Sequence, residues 1–251
     1  MNTRREEILE KINAQGFMSI NDLAVIFPDV STMTIRRDLE FLEDRGDIVR
    51  TKGGAKSIMH LSMQKEEAYH RRELINPDLK REIARKASGL IENNTCVFLD
   101  SGSTVMHIAK MLMSKKIFAV TSSPNVAMEM LRNPDCVVSM TGGKLNRENI
   151  CLSGLGAVHF LDDINIGTAV IAASGYSPDY GFTCGNFDEN ELKKAAVKSA
   201  QRVVIVMDST KIGRNHPFTF AELSDVDIFV TDSKFDGKLL SDIKKKGVKV
   251  L

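Results

Sequence analysis

Nowhere in its 251 residues does this chain run to the roughly 18 consecutive apolar side chains that a membrane-spanning helix needs. The opening, MNTRREEILEKI, also lacks the apolar stretch of a secretory signal, so a cytoplasmic protein with no membrane partner is expected. Four cysteines, Cys96, Cys136, Cys151 and Cys184, stand far apart with no CxxC pair. That spacing suggests neither a zinc site nor a disulfide framework, and reduced, mostly buried thiols are expected. Neither a metal nor a cofactor is expected. No internal repeat or low-complexity tract is present. A formal net charge of +1 gives the chain as a whole no pull towards a polyanion. One local absence matters more. From Ile48 to Lys65 there is not one Asp or Glu, while Arg50, Lys52, Lys56 and Lys65 supply positive charge. A carboxylate-free basic segment is where a DNA backbone can lie.

The hydrophobic content of 43% suffices for one substantial core and a small extra domain. Residues 3 to 15 put Ile8, Leu9 and Ile12 on one helical stripe, with Gly16 as the stop. A second helix follows, with Ser19 as N-cap, Asp22 at its N3 position and Leu23, Ile26 and Phe27 as the apolar stripe, until Pro28 and Asp29 break it. Ser31 caps a third helix that runs to about Asp44, with Gly46 as its stop. Three short helices with a tight turn before the third outline a helix-turn-helix. Then DIVRTKGGAKSIM reads as a hairpin wing around Gly53 and Gly54. The expected organisation is a winged helix-turn-helix domain at 1–57, a partly helical linker at 58–77 and an α/β domain at 78–251.

In that larger domain short apolar runs alternate with helical patterns. The strand candidates are residues 95–100, 117–120, 136–140, 168–173, 202–208, 227–232 and 248–251. Helices such as DLKREIARKASGLIE and DENELKKAAVKSA lie between them. This alternation implies a mostly parallel sheet covered on both faces.

On the third helix, Ile35, Leu39 and Leu42 share one face, which must pack inwards, and Met33, Arg36, Arg37, Glu40 and Asp44 fall opposite. A solvated face is the plain alternative. The arginines, however, occupy the first turn and a half, whereas Glu40, Glu43 and Asp44 crowd the far end and would repel phosphates. Only the N-terminal end could approach DNA, which is how a recognition helix enters the major groove. Arginine can grip guanine or a phosphate pair, and Ser31, Thr32, Met33 and Thr34 add small hydroxyl and methyl contacts. Arg50, Lys52, Gly53 and Gly54 of the wing would add phosphate or minor-groove contacts.

The loops after the strands point to an anion. FLDSGST ends a strand in Asp100 and continues with Ser101, Gly102, Ser103 and Thr104 into a helix from Val105, which suggests a phosphate cradle. Thr121, Ser122 and Ser123 in VTSSPN, Gly142, Gly143 and Lys144 in MTGGKLN, Gly175 in AASGYS, and Asp208 with Lys211 in MDSTKIG repeat the theme. Ligands of α/β sheets bind at the carboxyl ends of strands, so these loops could line one pocket. Other signals are weak. SGLGAV lacks the third glycine of a dinucleotide fingerprint, His107 and His159 have no partners at metal spacing, and Asp188, Glu189 and Glu191 suit the start of a helix as caps.

The stretch VSTMTIRRDLEFLEDRGDIVRTKGGA resembles the signature of the DeoR family of bacterial transcriptional regulators. Lys52 stands where a histidine is common, and DSGST and VTSS match the family's Asp-Ser-Gly-Thr-Thr and Val-Thr-Asn-Ser. The resemblance covers nearly the whole chain. It implies a winged helix-turn-helix joined to an effector domain similar to the sugar isomerase and CoA-transferase superfamily. It also implies operator DNA and a phosphorylated sugar as partners, with a homo-oligomer, dimer or tetramer, acting as a repressor of a sugar-utilisation operon. Two alternatives remain open: a sugar-phosphate isomerase with an accessory helical domain, for which Asp100, Asp208 and Lys211 could serve, and a protein-interaction module.

Overall fold

The computed structural model describes residues 3–45, 47–51, 53–57, 67–235 and 237–251. The chain divides into two compact units, Met1–Lys65 and Glu66–Leu251. Gly46, Lys52 and the segment 58–66 lie outside the described residues, as does the side chain of Asp44.

In the smaller unit α1 (Thr3–Gln15) ends where Gly16 takes a left-handed φ of 78°. Next comes β1 (Phe17–Ser19), then α2 (Ile20–Ile26) and α3 (Thr32–Asp44). Ser19 and Asp22 form a reciprocal capping box, and the Ser31 hydroxyl accepts from the Thr34 N–H, so both expected helix starts are present. The wing is β2 (Ile48–Thr51) and β3 (Gly54–Ser57). The sequence pattern did not anticipate β1, which pairs with β3 to complete an antiparallel sheet in the order β1-β3-β2. Three residues are too few to show a period. Ile8, Ile12, Met18, Leu23, Ile35, Leu39, Leu42, Ile48 and Ala55 form the core. Asp38 is buried with them, 1% exposed, and takes Arg4 Nε and Arg5 Nε of α1 at 2.7 Å each.

The larger unit begins with α4 (Tyr69–Leu74) and α5 (Pro77–Ser88), which ends earlier than the pattern suggested. Then come β4 (Cys96–Leu99), α6 (Ser103–Ala109), β5 (Phe118–Thr121), α7 (Pro124–Met130) and β6 (Val137–Met140). A hairpin, β7 (Lys144–Asn146) and β8 (Cys151–Ser153), leads to α8 (Leu155–Asp162) and β9 (Thr168–Ala172). After β10 (Gly175–Ser177), β11 (Gly181–Cys184) and α9 (Phe187–Ser199) the chain continues through β12 (Val203–Val206) and β13 (Phe218–Ala221). It finishes with β14 (Ile228–Val230), α10 (Gly237–Lys245) and β15 (Lys249–Val250).

All seven strand candidates pair in one parallel sheet, in the order β15-β14-β12-β9-β4-β5-β6. Alternate residues face opposite cores. Phe98, Ile171, Ile205 and Phe229 meet α8, α9 and α10, while Leu99, Val170, Val204 and Val230 meet α5, α6 and α7. From β4 the chain builds β5 and β6 outwards on one side, then returns to lay β9 on the other. The carboxyl ends of β4 and β9 are therefore the switch point of the sheet. The loops MTGGKLN and AASGYS are partly strand instead. The first enters the β7–β8 hairpin and the second forms β10 in a small antiparallel sheet, β10-β11-β13, on the α9 face. Residues 67–77, expected as linker, pack on the larger unit through α4.

Asp38 generates a prediction for the smaller unit. Burial raises its pKa, but the hydrogen bonds from Arg4 and Arg5 outweigh burial and hold it below the usual 3.8. Its stabilisation is thus present above the ordinary carboxylate range and lost as pH falls through the folded-state value. Asp38→Ala is expected to destabilise the unit by about 1–3 kcal/mol at neutral pH. Urea denaturation at pH 7 and pH 3 should show that deficit shrinking at the lower pH.

Candidate functional site

The exposed face of α3 presents Thr32, Met33, Arg36 and Arg37 to solvent, with Met33 60% exposed. Behind them Ile35, Leu39 and Leu42 are fully packed, and Asp38 ties the same helix to α1. Ser31 and Thr34 are partly occupied by capping, their hydroxyls 2.9 Å apart. A groove of about 390 Å³ runs between α3 and the wing, lined by Met33, Arg36, Arg37, Glu40, Arg50 and Thr51 among others. Arg50 is less available than the sequence suggested. Its guanidinium lies 3.5 Å from Glu40 and 3.4 Å from Glu43, and its N–H donates to Glu43. It thereby offsets the acids that would repel a phosphate. Gly53 is exposed with open space around it, but Gly54 is buried, and a Cβ there would fall 2.1 Å from the Met18 carbonyl oxygen. Its missing side chain admits β1.

At the switch point of the sheet the sequence-predicted loop residues gather, and Asp100, Ser101, Gly102, Ser103 and Thr104 are all buried. Asp100 already has partners. Its Oδ2 accepts from the Ala172 N–H at 3.0 Å and from Lys193 Nζ. Lys193, 2% exposed, also donates to the Ala172 carbonyl at 2.9 Å and lies 3.3 Å from Glu189, which accepts from Asn149 Nδ2 at 2.6 Å. Burial alone would lower the lysine's pKa, but Asp100 and Glu189 outweigh it and hold the pKa above the ordinary value. Lys193 is therefore a fixed ammonium, unsuited to act as a base. Gly102 is needed because a Cβ would meet the Ala172 Cβ at 2.3 Å.

The neighbouring hydroxyls divide into employed and idle. Thr121 Oγ1 accepts from the Ser123 N–H, and Ser123 Oγ caps α7 through Val126 N–H. The Ser122 carbonyl takes Leu152 N–H, which brings β8 alongside. Ser103 Oγ reaches the Arg72 carbonyl at 3.4 Å, and Thr104 Oγ1 is buried with no hydrogen-bond partner among the described residues. Lys211 Nζ donates to the Ala173 carbonyl at 3.1 Å and stands 4.0 Å from Asp208. Gly142, Gly143 and Lys144 are exposed at the glycine end of the β7–β8 hairpin. The turn at its other end faces α4, since the Glu148 carbonyl accepts from Tyr69 N–H and Asn149 Oδ1 from Arg72 Nη2. Gly175 has a packing reason, since a Cβ would sit 2.2 Å from the Arg214 carbonyl oxygen.

Sequence reasoning missed Lys193, Lys80 and Asn149 and took Glu189 for a cap, a role that Asn186 fills. A signal existed. Glu189, Leu192, Lys193 and Ala196 follow the i, i+3, i+4, i+7 spacing of a buried stripe, as do Lys80, Ile83, Ala84 and Ala87. No described helix is long and apolar enough to cross a membrane, and no described cluster of His, Cys, Asp and Glu could hold a metal.

Two family models match this chain, the DeoR-like helix-turn-helix domain over residues 4–60 and the DeoR C terminal sensor domain over residues 75–233. The chain belongs to the DeoR family. It is 35% identical over 249 residues to the HTH-type transcriptional regulator GlpR of Haloferax volcanii, covering 99% of this chain and 96% of that one. It is 30% identical over 249 residues to a putative aga operon transcriptional repressor of Escherichia coli O157:H7, covering 99% and 92%. Among solved structures, ribose 5 phosphate isomerase A from Neisseria gonorrhoeae overlaps 54% of this chain and 53% of its own at 20% identity and a TM-score of 0.41, too slight a likeness to build on. The DeoR-family match makes this chain a DNA-binding transcriptional regulator with a sensor domain, not an enzyme.

Lys193→Met would leave Asp100 and Glu189 buried without their cation. It is expected to cost about 3–5 kcal/mol of sensor-domain stability. Adding Asp100→Asn should recover part of that loss in thermal unfolding, and a double variant no more stable than the single would contradict the pairing.

Proposed function

We propose that this chain represses a sugar-utilisation operon and that a phosphorylated sugar, held at the carboxyl ends of β4 and β9, sets its affinity for operator DNA. What carries the reading is a pairing of features in one chain: a winged helix with outward arginines, and a switch-point crevice with an idle buried hydroxyl at Thr104 and a cation at Lys211. A relative of similar length bears the name putative aga operon transcriptional repressor, which supports the direction of control.

On the DNA side Arg36 and Arg37 enter the major groove with Thr32 and Met33, while Ser31 and Thr34 set the helix start. Arg50 holds the wing to α3 and contributes to DNA through the field it restores there. On the sensor side Ser101, Ser103, Thr104 and Lys211 meet the phosphate. Asp100, Thr121 and Ser123 position that loop, and Gly142, Gly143, Lys144 and Gly175 serve the hairpin and β10. The metabolite acts by binding the DNA-competent and DNA-incompetent states unequally, the linkage any such switch requires. A cytoplasmic homo-oligomer on a two-fold operator fits this scheme, because one recognition helix reads only a half-site.

Fluorescence anisotropy with the chain's own promoter-region DNA tests the first half. Arg36→Ala with Arg37→Ala should abolish specific binding, each arginine being worth about 1–3 kcal/mol. Arg50→Ala should weaken binding by less, and undiminished binding by the double variant would remove α3 from the interface.

A thermal-shift screen of phosphorylated sugars tests the second half. A true effector at 100-fold its Kd adds about 2.7 kcal/mol to stability. Lys211→Ala should blunt the response to that effector while leaving operator affinity intact, and a loss of DNA binding alone would contradict a sensing role.

A further inference from the structure

The sensor domain contains a buried positive charge that none of these roles uses. Lys80 sits on the buried stripe of α5 and is 2% exposed. Its ammonium donates to two main-chain oxygens, the carbonyls of Arg72 and Ile75, and among the described residues it makes no ion pair with a carboxylate. Burial lowers its pKa, and the field of Asp208 only partly opposes this. Neutral carbonyls satisfy donors without cancelling charge, and a buried cation left so is costly. An ammonium also has three donors, one more than the two carbonyls employ.

Both carbonyls belong to residues 67–76, the strap that carries α4 into α5. The Arg72 carbonyl accepts from Lys80 Nζ and also from Ser103 Oγ at 3.4 Å, so one strap oxygen holds the cation and a hydroxyl of the candidate phosphate loop together. In the residue after Ser103, Thr104 Oγ1 is buried with no hydrogen-bond partner among the described residues. An oxygen that gathers an ammonium and a hydroxyl stands where an oxygen of an anion would stand.

We propose that the strap is an internal surrogate for the effector's phosphate, and that an entering phosphate takes Lys80 and Ser103 from the Arg72 carbonyl, engages the idle Thr104 hydroxyl and frees the strap. This rests on the reading of the crevice as a phosphate site. It adds the residue that supplies the countercharge and the element that reports occupancy. A phosphate oxygen outcompetes a neutral carbonyl for an ammonium because both partners are then charged. The strap's other described ties include Tyr69 N–H to the Glu148 carbonyl at 2.8 Å, Arg72 Nη2 to Asn149 at 3.2 Å and Asn76 Nδ2 to Thr210 at 3.3 Å, all between uncharged acceptors and single donors. With six residues α4 is too short to persist unsupported. Tyr69 is fully buried, but Leu74 is 80% exposed and Ile75 42%. The chain from the DNA-binding unit enters the sensor domain through this strap, so its release lengthens the tether. A longer tether lowers the effective concentration at which a second DNA-binding unit of an oligomer meets its half-site.

Hydrogen–deuterium exchange on the full chain, with inorganic phosphate as the probe and thermal shift as an independent measure of binding, tests this. Phosphate should stabilise the chain, slow exchange over residues 100–106 and speed exchange over 67–76 by about tenfold, the strength of one charge-assisted bond. Stabilisation with strap exchange unchanged or slowed would overturn the surrogate role and leave the phosphate site standing. No stabilisation and no change over 100–106 would overturn both. That comparison needs only the unaltered chain, so it survives a variant that fails to fold. Lys80→Gln should weaken phosphate binding by about tenfold and make strap exchange insensitive to phosphate. Lys80→Arg should restore both, and wild-type binding by Lys80→Gln would exclude the lysine as the countercharge.

Discussion

The buried pair of Asp100 and Lys193 is the contact on which the sensor domain is organised. Asp100 ends the central strand at the point where the sheet reverses its direction of growth, and its Oδ2 spans to the Ala172 N–H at the end of β9. Lys193 reaches in from α9, takes that carboxylate and the Ala172 carbonyl, and recruits Glu189. Through Asn149 the same chain of contacts extends to Arg72 and the strap. Burying two charges seldom adds net stability, because desolvation offsets their attraction. Such a pair does penalise alternatives, since any register of β4 against β9 that separates them strands a charge in the core. Gly102 reports the closeness this demands, with no room for a Cβ against Ala172. Oδ2 of Asp100 is consequently spent on positioning.

The DNA-binding unit solves its charge problem by the same local means. Its acids and bases nearly cancel in number, yet their placement separates them. Asp38 draws Arg4 and Arg5 of α1 to the inner side of α3, and Arg50 covers Glu40 and Glu43 at its far end. Arg36 and Arg37 remain on the outer face near the helix start. A chain with a net charge of +1 thus presents a cationic edge where a helix can enter a groove, because the field at a few ångströms depends on neighbours and not on totals.

Much of this architecture was legible in the sequence, for definite reasons. The seven strands of the parallel sheet are apolar runs buried on both faces, the pattern least easily confused with a loop, and the three N-terminal helices announce themselves through Ser19, Ser31 and the apolar stripes. β1, β7, β8 and β10 escaped because three residues show no period and their glycines mimic turns. The charged residues that matter most escaped for another reason. Asp38, Lys80, Glu189 and Lys193 each occupy a position of an i, i+3, i+4, i+7 stripe, where a pattern of apolar residues is sought and a charge reads as its interruption. For two of them the partners also lie far off in the chain, Arg4 from Asp38 by 34 residues and Asp100 from Lys193 by 93.

That failure carries a physical lesson about the hydroxyl-rich loops. Composition made them look like the ligand's main partners, yet Thr121 and Ser123 turn back on their own backbone. Seven residues make α6 a short helix with a weak dipole of its own. Loops of this kind define a place that an anion can occupy, by leaving room and a few donors. They do not supply the charge that draws the anion from water. The lysines of this domain come from elements distant in sequence: Lys80 from α5 meets two carbonyls, Lys211 from the turn after β12 meets a carbonyl and Asp208, and Lys193 from α9 is held by acids and serves the frame. Which lysines the fold sets against acids and which against carbonyls is a property of packing that loop sequence alone does not contain.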